Sequence, residues 1–227
     1  MQVPPFHTLP ERCEFYLVRH GESVSNSDGR IQGHTDSPLS EIGRGHAEAA
    51  GRWFSDRRID AVLASPLARA YETARIIAHH AGAPVPEREP DLMELDTGIY
   101  SDVRISELRD VDPELYRDFR VHSWEVVPEA ERIESLLART RRVWERLVGL
   151  AHEGHRRMVC VTHGGALQWM IKSTIGSDEQ RWMPLFPAGN CGIFLFSAES
   201  TLRDATEPPA PGTGYYGVWE LVNHVPY

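Results

Sequence analysis

The chain has 227 residues, 41% of them hydrophobic and 25% charged, a balance that excludes a disordered polymer and fits one large α/β domain spanning 1–227 better than two small ones. A formal charge of −9 argues against nucleic-acid or anionic-membrane partners, and the longest apolar runs, such as Ile193-Phe194-Leu195-Phe196, are too short to cross a bilayer. Three scattered cysteines (Cys13, Cys160, Cys191) without a C-x-x-C pair, and an N-terminus with neither a basic patch nor an apolar core, predict reduced thiols in a cytoplasmic protein.

The apolar run over 15–18 opens into Arg19-His20-Gly21, the pattern of a buried strand ending in a loop. A helix follows from Ser40 as N-cap, with Ile42, His46, Ala49, Ala50 and Trp53 at three- and four-residue spacing. Residues 61–64 form a second short strand. Ser65-Pro66 then reads as an N-cap with proline at the first helical position, and the helix passes Ala70, Ala74 and Ile77 to end near Gly82. The stretch 131–152 is amphipathic, 158–161 is a third core strand, and Gly164-Gly165 opens a helix through Ile175. Strands are expected over 192–197 and 218–222, with the proline- and glycine-rich 207–212 as a surface loop between them; the aromatic cluster over 182–186 reads as core or an interface edge.

Strands alternating with helices predict a three-layer α/β/α sandwich with a mostly parallel central sheet. Residues 87–128 break the rhythm. They carry little periodicity, acids outnumber arginines over 87–125, and we read them as an inserted cap or lid over one end of the sheet.

Three times a short buried strand runs into a polar residue and a helix start: at Arg19-His20, at Ser65 leading to Arg69, and at His163-Gly164-Gly165. Ligands of open α/β sheets bind outside the carboxyl ends of the strands, so parallel neighbours would open all three junctions on one crevice. Arg69, one turn into its helix, leans back toward that crevice. Two histidines, two arginines and a helix N-terminus gathered there suit an anion, and guanidinium forks match phosphate oxygens. Each residue alone has a blander reading: His20 as a buried strand-end histidine, His163 as a capping residue, Arg69 as a solvated helix arginine, Glu94 as one more glutamate facing water.

Val18-Arg19-His20-Gly21-Glu22-Ser23, with Asn26 and Gln32-Gly33-His34-Thr35-Asp36-Ser37-Pro38-Leu39-Ser40, resembles the signature of the histidine phosphatase superfamily, in its phosphoglycerate-mutase-like branch. Ala64-Ser65-Pro66-Leu67-Ala68-Arg69-Ala70 and Val161-Thr162-His163-Gly164-Gly165 match its other two blocks in order and spacing, so the resemblance covers about 14–175. It implies His20 as a nucleophile that becomes a phosphohistidine, with Arg19, Arg69 and His163 binding the phosphoryl oxygens. Asn26, Gln32, Gly33 and Gly164 match positions that contact phosphate or leaving group in relatives. A carboxylate after the second helix supplies the proton; Glu94 in Leu92-Met93-Glu94-Leu95-Asp96 fits, with Asp96 as the fallback.

The resemblance departs from pattern at Gly98-Ile99-Tyr100-Ser101-Asp102, where many phosphatases read Gly-x-Trp-Glu-Gly, and at Arg132-Ile133-Glu134-Ser135 in place of Gly-Glu-Ser. It implies a metal-independent phosphomonoesterase for a small molecule, without cofactor. The competing readings are a phosphoglycerate mutase and an inactive phospho-ligand module. The acidic cap, by repulsion, argues against the mutase and for a substrate body that is neutral or cationic. His7, His34, His79-His80 and His152-His155 lack metal-ligand spacing, so no metal is expected. A homo-oligomer is left open.

Overall fold

A computed structural model describes residues 4–175, 185–202 and 214–227. Met1, Gln2 and Val3, the expected surface loop 207–212 and Trp182, Met183 and Pro184 of the aromatic cluster lie outside the described residues.

The sheet is built from β1 (Cys13–Arg19), β2 (Ala61–Ala64), β3 (Glu87–Arg88), β4 (Arg157–Thr162), β5 (Ile193–Ser200) and β6 (Tyr215–His224), in the order β3-β2-β4-β1-β5-β6. β1 pairs parallel with β4, β4 with β2 and β2 with β3, while β5 and β6 run antiparallel at the other edge. Alternation along the strands feeds two cores. Phe15, Leu17, Met158 and Cys160 pack on one face against Val143, Trp144, Leu147 and Met170, from α6 (Ile133–His152) and α7 (Gly164–Thr174). Tyr16, Val18, Val159 and Val161 pack on the other against Ala47, Phe54, Ala74 and Ile77, from α2 (Glu41–Phe54) and α3 (Ala68–Ala81). With both faces covered, the strands are near-continuously apolar, as parallel sheets require. The three-layer α/β/α sandwich with its parallel-rich sheet stands as read from the sequence.

Several local readings change. Ser40 caps α2, its hydroxyl accepting the Gly43 N–H at 2.9 Å, and Gly82 ends α3 in the left-handed conformation. Ser65 is not the N-cap of α3: Leu67 holds that position, and the Ser65 hydroxyl is directed elsewhere. Residues 87 and 88, read as the start of the cap, are an edge strand of the sheet. The cap is also more helical than its weak periodicity indicated. It holds α4 (Leu108–Val111) and α5 (Pro113–His122) around a small core of Tyr100, Leu108, Phe119 and Val127. Asp112 caps α5 by accepting the N–H groups of Glu114 and Leu115, with Pro113 at its first position.

After β1 the chain passes through Gly21 and the single turn α1 (Val24–Ser27), whose start is closed by reciprocal bonds between Ser23 and Asn26. Here two glycines meet. A Cβ on Gly21 would stand 2.5 Å from the Gly43 carbonyl oxygen, and one on Gly43 would overlap the Glu22 backbone. The segment after His20 is thus laid directly on the first turn of α2. Gly43→Ala is expected to cost about 2 kcal/mol in denaturant unfolding through overpacking, whereas Gly45→Ala, which has open space around it, should leave stability unchanged or raise it.

Candidate active site

Because β2, β4 and β1 are adjacent and parallel, the residues that leave their carboxyl ends are brought together. His20 follows β1, Ser65 follows β2 and His163 follows β4; the His20 N–H still bonds the Thr162 carbonyl at 2.9 Å, and the Ser65 N–H the Val161 carbonyl at 3.0 Å. The rings of His20 and His163 lie 5.0 Å apart, centroid to centroid.

His20 is 2% exposed, with Nδ1 2.6 Å from the Gly21 carbonyl oxygen. A carbonyl only accepts, so Nδ1 carries the proton and the neutral ring keeps its lone pair on Nε2. Burial, and then the charges of Arg19 and Arg69, push the His20 pKa well below its usual value. The ring is therefore neutral at physiological pH. Gly21, whose carbonyl sets this tautomer, donates its own N–H to Thr73 Oγ1 on α3 at 3.0 Å.

Arg69 is 1% exposed and donates to the carbonyls of Thr35 and Gly33, each at 2.9 Å. Arg19 donates to the Ala188 carbonyl at 2.6 Å. Burial lowers both guanidinium pKa values, opposed by the negative charge of Glu94, yet arginine stays charged at neutral pH. Both cations rest on neutral carbonyls, and neither makes a direct ion pair among the described residues. His163 is fully buried. Its Nε2 lies 2.8 Å from Ser65 Oγ, and burial followed by the neighbouring His20 and arginines holds its pKa well down. Among the described residues, six buried side-chain nitrogen or oxygen atoms lack a hydrogen-bond partner, and three of them are Arg19 Nε, Arg69 Nε and His163 Nδ1. Unsatisfied buried donors are rare, and their concentration here marks a place built for an acceptor.

His163 occupies the N-cap position of α7 but makes no capping bond. Glu94 does that work. Its carboxylate accepts the N–H of Ala166 at 3.0 Å, of Gly165 at 3.1 Å and of its neighbour Leu95 at 2.8 Å. A Cβ on Gly165 would lie 2.6 Å from Glu94 Oε1, so the second glycine of the pair makes room for the carboxylate. Asp96, the fallback, is engaged elsewhere: one oxygen accepts the Gly98 N–H at 3.0 Å and the other lies 3.5 Å from His34 Nδ1.

A cavity of ≈ 220 Å³ is lined by Arg19, His20, Asn26, Gln32, Gly33, Arg69 and Glu94, with Arg30 and Trp124. His163 is not among the described residues lining it, and Gly164 belongs to the wall of an adjoining cavity. Some of the residues act through others. Gly33 offers its carbonyl to Arg69 and holds φ +50°, Gln32 Oε1 accepts the Ser23 hydroxyl at 2.8 Å, and Asn26 Oδ1 accepts from Asn190, which also bonds the His20 carbonyl at 3.2 Å.

Sequence reasoning missed Ser65 as the partner of His163, and it missed Arg139. This arginine is 7% exposed and donates to the carbonyls of Asp91, Met93 and Glu94 while holding Glu131 with two further bonds at 2.8 Å. It was legible in principle, since it shares a buried helical stripe with Leu136 and Val143. His34 adds a second tie, its Nε2 lying 2.8 Å from the Glu94 carbonyl oxygen.

The electrostatic argument from the acidic cap is overturned. Glu87, Asp91 and Glu125 pair with Arg146, Arg142 and Arg132, Asp112 caps α5, and Glu94 is the sole acid of the segment among the described residues lining either cavity. Apart from Glu94, the acids of the segment do not line either cavity among the described residues.

The model of the histidine phosphatase superfamily (branch 1) matches residues 15–203. The chain is 36% identical over 161 residues to a metal-independent phosphoserine phosphatase of Arabidopsis thaliana, covering 70% of this chain and 67% of that protein. It is 33% identical over 184 residues to a probable phosphoglycerate mutase of Erwinia tasmaniensis, covering 79% and 82%. The fold matches that of a mycobacterial glucosyl-3-phosphoglycerate phosphatase solved with VO3, with a TM-score of 0.77 at 24% identity over 94% of this chain and 99% of that one.

The depressed histidines set an acid limit on stability. Below about pH 6.5 the unfolded chain takes up a proton on His20 and on His163 that the folded protein refuses, so stability falls as pH falls. The expected slope is about 1.4 kcal/mol per pH unit for each histidine, absent above pH ~7. Denaturant midpoints in wild type and in His20→Asn, which should keep only one histidine's share of the slope, check this.

Proposed function

The chain belongs to the histidine phosphatase superfamily, and on that premise we propose that it is a phosphomonoesterase working without a metal through a phosphohistidine on His20. The observation that carries this reading is the neutral, buried imidazole whose Nδ1 proton is committed to the Gly21 carbonyl, leaving Nε2 unprotonated beside two guanidinium groups.

In the first step the Nε2 lone pair attacks phosphorus, the bond from phosphorus to the ester oxygen breaks, and Glu94 in its carboxylic acid form gives that oxygen its proton. In the second, Glu94 as carboxylate takes a proton from water, the water oxygen attacks phosphorus, and the P–N bond breaks to restore the imidazole. Arg19, Arg69 and His163 hold the three remaining phosphoryl oxygens. Their unpartnered nitrogens suit acceptors of spreading negative charge, and Ser65, by donating to Nε2 of His163, would leave the proton on Nδ1. Glu94 is preferred to Asp96 as proton donor because it lines the cavity. Arg139 is a positioning residue that fixes the backbone carrying Glu94.

A second reading, a mutase that returns the phosphoryl group to its substrate, draws support from the Erwinia tasmaniensis relative and from Arg30, a further cation on the cavity wall. With the cap acids turned away, repulsion no longer argues against it. The phosphatase reading is favoured because Arg30 is already paired with Asp102, whose carboxylate lies 3.7 Å from Arg30 Nη1 and whose carbonyl accepts from it at 2.6 Å, so part of the charge a second anionic group would need is offset.

Protein incubated with ³²P-labelled phosphomonoester and EDTA and quenched in alkaline detergent should carry label that withstands alkali and is released by acid, lost in His20→Ala together with at least about 10³-fold in turnover. Retention of label or of turnover in that variant would refute the nucleophile. Phosphate release outrunning isomerisation of 3-phosphoglycerate separates phosphatase from mutase.

Proton donation has its own signature. Glu94→Gln should lower kcat/KM, which reports the phosphoryl-transfer step, by about 10²-fold or more for an alkyl phosphate and far less for 4-nitrophenyl phosphate, whose leaving group needs no proton. Arg139→Gln should show the same asymmetry, weaker, alongside a loss of about 3 kcal/mol in stability as Glu131 is left buried and unpaired.

A further inference from the structure

Beside the cavity that holds His20 lies a second one of ≈ 260 Å³, and the two share Leu95, Trp124 and Gly165 as a common wall. Their linings differ in kind. The first is edged by guanidinium, imidazole, amide and carboxylate groups; the second by Leu95, Trp124, Trp169, Leu185, Phe186 and Ala188, with no charged side chain among its described residues.

We propose that this second cavity receives the body of the substrate, and that the body is an apolar alkyl or aryl group. The inference rests on the phosphoryl site proposed above and names the class of ester that site takes. Three observations carry it. The cavity continues directly from the Glu94 edge of the phosphoryl site, where the ester oxygen would leave. Its most polar lining side chain, Gln168, is tied to the chain beside it, donating to the Phe186 carbonyl at 2.9 Å and accepting the Phe186 N–H at 3.0 Å, so little of its amide is left for a polar guest. And its floor is held in place. Trp169 is 8% exposed, packs with Leu95 and Leu136, and has the buried Lys172 ammonium 4.1 Å from its ring centroid. A charged or heavily hydroxylated body entering here would shed its hydration against walls with few hydrogen-bonding groups and no charged side chain among the described residues, whereas an apolar one gains by leaving water.

The test uses n-alkylphosphonates from methyl to hexyl, which bind without being turned over, with calorimetric Kd as the readout. Affinity should rise by about fourfold per methylene while the chain is being buried, giving at least tenfold across the series, and a hydroxyl near the chain end should reverse the gain. Trp169→Ala should flatten that dependence. Leu185→Gln, at a rim position 62% exposed where folding is not at stake, should flatten it for the longer members. A series without slope, a slope untouched by both variants, or no binding by any phosphonate would overturn the proposal. The two readings fail separately: a rising series without label on His20 sinks the enzymatic mechanism and keeps the apolar subsite, while label on His20 with a flat series does the reverse.

Discussion

The site is organised by one hydrogen bond, from His20 Nδ1–H to the Gly21 carbonyl. A buried imidazole among cations is driven to be neutral, but neutrality alone does not say which nitrogen keeps the lone pair. The carbonyl decides it. That carbonyl is itself fixed, because the Gly21 N–H is held by Thr73 and the glycine lies against Gly43 with no space for a side chain. The same segment is anchored again where Asn190 and Cys191 bond the His20 carbonyl. A small rotation of this peptide would release the tautomer, so the backbone there is constrained from three sides.

Around the imidazole the protein keeps positive charge that it declines to neutralise. Arg19 and Arg69 rest on carbonyl oxygens, which orient the forks and satisfy some N–H groups without cancelling the charge. A direct carboxylate partner would have made a comfortable buried ion pair and a poor anion site. Glu94, the one acid lining the cavity among the described residues, rests on the N-terminus of α7. The acid-rich segment that carries it is held in position by Arg139, which gathers the backbone carbonyls of Asp91, Met93 and Glu94, and Glu131 holds Arg139. Sequence charge in this region records scaffolding, which is why counting it misrepresented the electrostatics of the cavity.

What could be read from the sequence divides along a physical line. The buried strands at 15–18, 61–64 and 158–161, the helices between them and the convergence of Arg19, His20, Arg69 and His163 were legible because each depends on a contiguous apolar run followed by a polar residue. The topology then does the rest. Ser65 was misread as an N-cap since Ser-Pro before a helix is the usual capping pattern, and only the tertiary approach of His163 reveals the other use of its hydroxyl. Two-residue β3 has no periodicity to detect. Helix α5 did carry signals, Asp112-Pro113 and the apolar stripe of Leu115, Tyr116 and Phe119, but it runs for only ten residues, too short a stretch for that stripe to repeat along it. Arg139 was hidden by the opposite effect, an arginine sitting where the pattern asks for an apolar residue.

The two adjoining cavities extend the same division. The phosphoryl end draws on residues at strand ends, where backbone geometry places them whatever the neighbouring sequence, so its motif survives as short contiguous blocks. The apolar end draws on Leu95 from one loop, Trp124 from the turn after α5, Trp169 from α7 and Leu185 and Phe186 from beyond it. No strand fixes these against one another; Leu95, Trp124 and Trp169 meet through side-chain packing, and Phe186 is tied to α7 by its two bonds with Gln168. Substitution at any one reshapes the cavity without disturbing the imidazole or its tautomer. A fold arranged this way can hold the chemistry constant while the accepted ester varies, and similarity to a phosphoserine phosphatase and to a probable mutase at comparable identity is what such an arrangement produces.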